Sequence, residues 1–170
     1  MAGFLRSTWA SRRFRAAFYS CTVATQVICI SEYLFDRVIA FGPAQGPSMV
    51  PTFTVTGEGV VINRLCRYGR NVKVGDLVAY DIPINKELGV KRVIGMPGDY
   101  VLLGSPGESQ DMLQVPEGHC WLVGDNLKAS RDSRDFGPLP LALITGKIVY
   151  RYKFPFKDIQ PIENALLSVD

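Results

Sequence analysis

A serine, a lysine and one polar loop are the parts of this chain equipped for chemistry. Ser48 lies in Gly46-Pro47-Ser48-Met49-Val50-Pro51-Thr52, where a glycine and two prolines make a stiff loop rather than the middle of an element. Lys91 opens the apolar run Lys91-Arg92-Val93-Ile94-Gly95-Met96, followed by Pro97-Gly98-Asp99. If its side chain points inward, apolar neighbours disfavour the charged form, and a neutral amine is a competent base. The polar loop Gly124-Asp125-Asn126-Leu127-Lys128-Ala129-Ser130-Arg131-Asp132-Ser133-Arg134 directly follows a strand-like run. A fourth, quieter segment, Gly75-Asp76-Leu77-Val78, opens another. Taken singly, each has an ordinary reading as a turn, an edge charge or a solvated loop.

A serine hydroxyl is a weak nucleophile until a base lies beside it. The usual base is histidine, but the chain has one, His119, and Gly118-His119-Cys120-Trp121 reads as a strand opening with a structural role. A serine–lysine pair is a variant of the triad logic. It needs only a dry site that lowers the lysine pKa from its free value of about 10.4. No metal or cofactor is expected, because His119 has no second histidine and no carboxylate at H-E-x-x-H spacing. Cys21, Cys29, Cys66 and Cys120 contain no C-x-x-C pair and read as free thiols.

Short runs punctuated by glycine and proline must position these residues. Residues 59–65, 76–82, 89–96, 100–104, 119–124 and 146–154 are rich in Val, Ile, Leu and Tyr and read as strands. Turn-formers separate them at Tyr68-Gly69-Arg70-Asn71, Ile84-Asn85, Pro97-Gly98-Asp99, Pro106-Gly107 and Pro116-Glu117-Gly118. Close spacing without long helices predicts a mainly β, antiparallel body, barrel-like or of packed sheets. One helical turn is expected near Pro140–Ile144, and a peripheral polar tail over 157–170.

The N-terminus has a different texture. Arg6, Arg12, Arg13 and Arg15 precede the first acid, Glu32, so a basic head over 1–15 leads into an uncharged run over 16–31. That pattern reads as a topology signal, and predicts a membrane anchor helix over 16–40 with Tyr33 and Phe35 as interfacial aromatics. The run is short against the roughly 17–25 residues of a span. A helix lying in the interface or on a partner, and a cleaved presequence, are the other readings. The chemistry-bearing β domain is then 41–156. A formal net charge of +3 is too weak to argue for nucleic acid, and 47% apolar with 21% charged residues excludes wholesale disorder.

Together the four segments resemble the type I signal peptidase family, in chain order and spacing, over roughly Gly46 to Lys147. The resemblance implies that Ser48 is the nucleophile and Lys91 its base. It implies that Ser130 orients the lysine and that Asp132 and Arg134 form a supporting ion pair. Some bacterial relatives carry a serine where this chain has Gly46. The oxyanion is then left to backbone N–H groups of the Gly46–Ser48 region, chiefly that of Ser48. Within the family, Val115 to Asn126 and the ending Asp132-Ser133-Arg134 look most like the mitochondrial inner membrane peptidases, subunit 1 rather than 2. The implied function is removal of N-terminal sorting sequences from precursors delivered to the intermembrane space. The implied setting is the inner membrane, with the catalytic domain facing that space and a second peptidase subunit as partner. Precursors would bind as extended strands, with shallow pockets for small residues one and three positions before the cut. Competing classes are a bacterial or plastid relative, a silent partner subunit, and a self-cleaving repressor, which would need an N-terminal DNA-binding element that residues 16–31 do not resemble.

Overall fold

A computed structural model describes residues 2–82, 87–104, 107, 111–164 and 166, with side chains from residue 12. The expected turn at Ile84-Asn85 and the proline of Pro106-Gly107 lie outside the described residues. The chain divides into two compact units at the Val38–Ile39 bond.

The first unit is a single helix, α1 (Ala2–Arg37). The basic head is therefore the first turns of the same helix, and the helix ends three residues before the expected limit of 40. Helix formation over 16–31 agrees with the sequence reading; the apolar span does not. No helix among the described residues is long and apolar enough to cross a membrane. The reason is composition: Ser20, Thr22, Thr25, Gln26 and Ser31 dilute the run, and Arg15 and Glu32 bound it. Thr22, Thr25 and Ser31 donate their hydroxyls to the carbonyls of Tyr19, Cys21 and Ile28, so these polar groups are satisfied within the helix.

The second unit is mainly antiparallel β. Its strands are β1 (Ile39–Ala44), β2 (Glu58–Asn63), β3 (Leu77–Asp81), β4 (Leu88–Gly95), β5 (Tyr100–Leu102), β6 (Met112–Gln114), β7 (His119–Val123), β8 (Leu139–Pro140), β9 (Ile144–Lys153) and β10 (Lys157–Pro161). The main sheet runs β1-β2-β9-β3-β4-β7-β8, with β10 on β9, while β5 and β6 form a separate hairpin. Among the described residues the two ends of this path, β1 and β8, do not pair, so the sheet is open rather than a closed barrel. Register shifts between β2 and β9, β3 and β9, and β4 and β7 bend it locally.

β3 explains where the core sits. Its residues Leu77, Val78, Ala79 and Tyr80 are all buried, because neighbours cover both faces. Val78 and Tyr80 join one cluster with Val93, Leu122 and Ile144. Leu77 and Ala79 join another with Val60, Ile62 and Ile148. This is the period-2 alternation of a strand serving two cores. All six expected strands form. β1, β6, β8 and β10 were not expected, and the helical turn after Pro140 is Leu141–Leu143.

The described part of the tail adds an exposed strand at the sheet and reaches back to the body. β10 pairs with β9, and Asn164 donates to the Val74 carbonyl and to Asp76 Oδ1 at 2.8 and 3.0 Å. A Cβ on Gly75 would lie 1.9 Å from Asn164 Oδ1, so that glycine permits the close approach.

Candidate active site

Lys91 sits on β4 directly opposite Val78 of β3. Directly paired residues share a face, so Lys91 turns toward the core that holds Val78 and Val93. It is 6% exposed. Burial pushes its pKa below the ordinary lysine value; attraction to Asp132 and Asp125 works against this and Arg134 with it, and burial wins. Among the described residues its amine has no hydrogen bond or ion pair.

Ser48 lies in a one-turn helix, Pro47–Met49, preceded by Gly46 at φ +103°. That left-handed backbone favours glycine. The Gly46 N–H donates to the Val55 carbonyl at 2.9 Å, so it is engaged. Pro47 has no N–H. The Ser48 N–H is the donor left near the Ser48 hydroxyl, in the first turn, where helix N–H groups lack internal partners.

Ser48, Lys91 and Gly46 line one cleft of about 470 Å³, whose wall includes Met49, Phe53 and Tyr80. The polar loop closes on Ser48 from one side. The Asn126 N–H donates to the Ser48 carbonyl at 3.0 Å, and its amide to the Pro47 carbonyl at 3.1 Å. A Cβ on Gly124 would meet Ser130 Oγ at 2.2 Å and the Ser48 carbonyl oxygen at 2.6 Å. Ser130 and the Ser48 backbone thus converge on the space that Gly124 leaves open.

Asp132 is fully buried, yet its carboxyl is held below the ordinary range. Burial pushes it up, but the Arg134 guanidinium, the Gly124 N–H and the Ser130 hydroxyl outweigh that. Arg134 grips it with two prongs, Nε to Oδ1 at 2.8 Å and Nη2 to Oδ2 at 3.0 Å. Asp132 also caps α2 (Ser133–Phe136) in a capping box with Asp135. Ser130 donates its hydroxyl to Asp132 Oδ2 at 2.6 Å, leaving its oxygen lone pairs as acceptors. His119 is elsewhere: its Nδ1 lies 3.0 Å from the Glu117 carbonyl, and it does not line the cleft. All four cysteines are free, Cys66 and Cys120 being buried. Among the described residues no group of His, Cys, Asp and Glu is placed to hold a metal ion.

A second ion pair was not anticipated. Arg92 points to the opposite face from Lys91 and takes both oxygens of Asp125, at 2.8 and 2.7 Å, while the Thr52 hydroxyl donates to the same carboxylate. Arg92 also donates to the Gly75 carbonyl at 2.8 Å. All four sequence segments are therefore tied at one point. Alternation along β4 placed Arg92 opposite Lys91; nothing local named Asp125 as its partner.

Comparison with known proteins identifies the family. The profile described as "Signal peptidase, peptidase S26" matches residues 16–105 and 104–153. This chain belongs to the signal peptidase family. Its relatives include mitochondrial inner membrane protease subunit 1 of Schizosaccharomyces pombe, 40% identical over 81% of this chain and 86% of that protein. The mouse protein of the same name is 38% identical over 86% of each chain. Subunit 2 of Schizosaccharomyces pombe is 33% identical over 91% of this chain and 87% of that one. Among solved structures, a signal peptidase I from Enterococcus faecalis V583 aligns over 44% of this chain and 94% of its own. Its identity is 26% and its TM-score 0.36, too low to argue from. As a member of the signal peptidase family the chain is a serine-type protease that removes signal sequences.

Proposed function

We propose that this protein is a mitochondrial inner membrane peptidase subunit that cleaves sorting sequences with a Ser48–Lys91 dyad. The observation that carries it is one cleft lined by a loop serine and a buried lysine whose charged form is disfavoured. Neutral Lys91 takes the Ser48 proton as the oxygen attacks the scissile carbonyl, and returns it to the leaving amine. The Ser48 N–H receives the developing oxyanion. Ser130, fixed by Asp132, keeps acceptor lone pairs available to orient the lysine amine once substrate closes the cleft. Asp132 and Arg134 hold that loop from behind. Precursors with small side chains near the cut fit the shallow cleft as extended strands.

The inner-membrane setting, with the catalytic unit in the intermembrane space, is supported by the names of the subunit 1 relatives. Similarity to both subunit types supports a hetero-oligomer with a second peptidase subunit. Because α1 has no lone apolar span, its hold on the bilayer is interfacial or shared with a helix of that partner.

The test is a pH–rate profile of wild type, Ser48→Ala and Lys91→Arg on a precursor peptide. Ser48→Ala loses roughly 10⁴–10⁶-fold in kcat. Lys91→Arg loses at least about 10²–10⁴-fold, because arginine keeps its proton. Wild-type kcat/KM rises with pH through a group titrating below the ordinary lysine value. An arginine variant that keeps most of the activity rules out the dyad.

A further inference from the structure

Ser130 and Asp132 are both in extended backbone, at φ −118°, ψ 123° and φ −150°, ψ −161°. Their side chains fall together, joined by the 2.6 Å hydrogen bond. Alternation throws Arg131, between them, off that side. Arg131 is exposed and lines the same cleft as Ser48 and Lys91. Among the described residues its guanidinium makes no hydrogen bond or ion pair. Among the described residues, the other charged side chains on the cleft wall are Lys91, which is buried, and Glu87, beside the start of β4. The cleft is thus polarised, with an unengaged cation attached to the loop that supports the catalytic residues.

We propose that Arg131 is a specificity residue that selects an acidic side chain in the precursor close to the scissile bond. This rests on the Ser48–Lys91 reading of the site. An arginine fork matches a carboxylate with two hydrogen bonds. Arg131 shares one cleft wall with Ser48 and Lys91, so a carboxylate bound by Arg131 fixes the peptide register close to the cut. The selection acts mainly through KM, since the contact exists in ground and transition states alike.

The experiment uses the full-length protein and a peptide series with small residues one and three positions before the cut. Glu, Gln or Lys is placed in turn at the remaining positions flanking the bond. Wild type is expected to favour Glu over Lys at one position by about tenfold in kcat/KM, chiefly through KM. The preference shrinks as salt is raised. Arg131→Gln abolishes it, and Arg131→Glu inverts it, with the Gln peptide cleaved at a similar kcat throughout. Inversion separates recognition from a structural role, because a damaged loop slows all peptides together. Absence of charge preference in wild type, or a preference unchanged in Arg131→Glu, overturns the proposal. Undiminished cleavage by Ser48→Ala overturns the dyad instead, and is distinguishable because it does not depend on peptide charge.

Discussion

At the scale of single residues, the site sets a buried lysine against stability. The folded chain holds Lys91 below its unfolded value near 10.5, so the unfolded state binds the proton more tightly. Below the folded value the penalty is fully present; between the two values stability rises with pH. Lys91→Met, which removes the charge and keeps the stem, is therefore expected to be inactive but more stable at neutral pH. Its gain in Tm, about 2–8 °C for each kcal/mol relieved, shrinks as pH approaches 10.5. Thermal melts of both proteins across that range check it; equal or lower Tm at pH 7 shows that attraction to Asp132 and Asp125 dominates. On the proposed Ser48–Lys91 mechanism, Ser130→Ala is expected to cost less kcat/KM than Ser48→Ala, since Ser130 would position the base rather than attack.

Elements act here through two ion pairs, one inside the polar loop and one between that loop and β4. Asp132–Arg134 fixes the loop that carries Ser130. Arg92–Asp125 ties β4 to the Ser48 loop through Thr52. Removing one partner of a buried pair strands the other charge, typically at about 3–5 kcal/mol. Asp125→Asn is expected to destabilise at the low end of that range, because the amide oxygen still accepts from Arg92. Asp125→Ala lies at the high end. Denaturant midpoints order the two variants; a midpoint for Asp125→Ala at the wild-type value makes the tie energetically idle. Gly124→Ala tests the loop contact itself. Its methyl must displace Ser130 or the Ser48 carbonyl, so kcat is expected to fall more than the roughly 1–3 kcal/mol of overpacking alone explains. Peptide cleavage and melting measured together separate the two effects.

For the whole molecule, the break at the Val38–Ile39 bond separates helix from catalytic body. Every hydrogen bond and ion pair described around the cleft lies on the body side. Deletion of 1–38 is expected to leave a body that unfolds cooperatively and cleaves short peptides within about threefold of wild type, while losing activity on membrane-presented precursors. An inactive truncated body, still folded by near-ultraviolet dichroism, gives the helix a part in catalysis. Alkaline carbonate extraction of the full chain, with and without a second peptidase subunit, tests the proposed membrane association. On the proposed inner-membrane assignment, retention in the membrane fraction only when that subunit is present is the expected outcome.

Local pattern alone determined six of the strands, because alternation, β-branched content and bounding turn residues are properties of a few consecutive positions. It also determined the order of the four segments, and with them the family, since a sequence of short rigid motifs survives wherever the chain folds them. Tertiary structure decided the rest. β1 reads as the end of a helix until β2 gives it a partner, and β8 and β10 are too short or too polar to declare themselves without β7 and β9. The engagement of the Gly46 N–H by Val55, the grip of Arg92 on Asp125 and the reach of Asn164 to Asp76 are contacts between residues that no local pattern pairs. Lys91 is the clearest division: its type and place on a strand were plain in the sequence. Which face it takes was not, and that is set by its register against Val78 and by the core beneath, which together disfavour its proton.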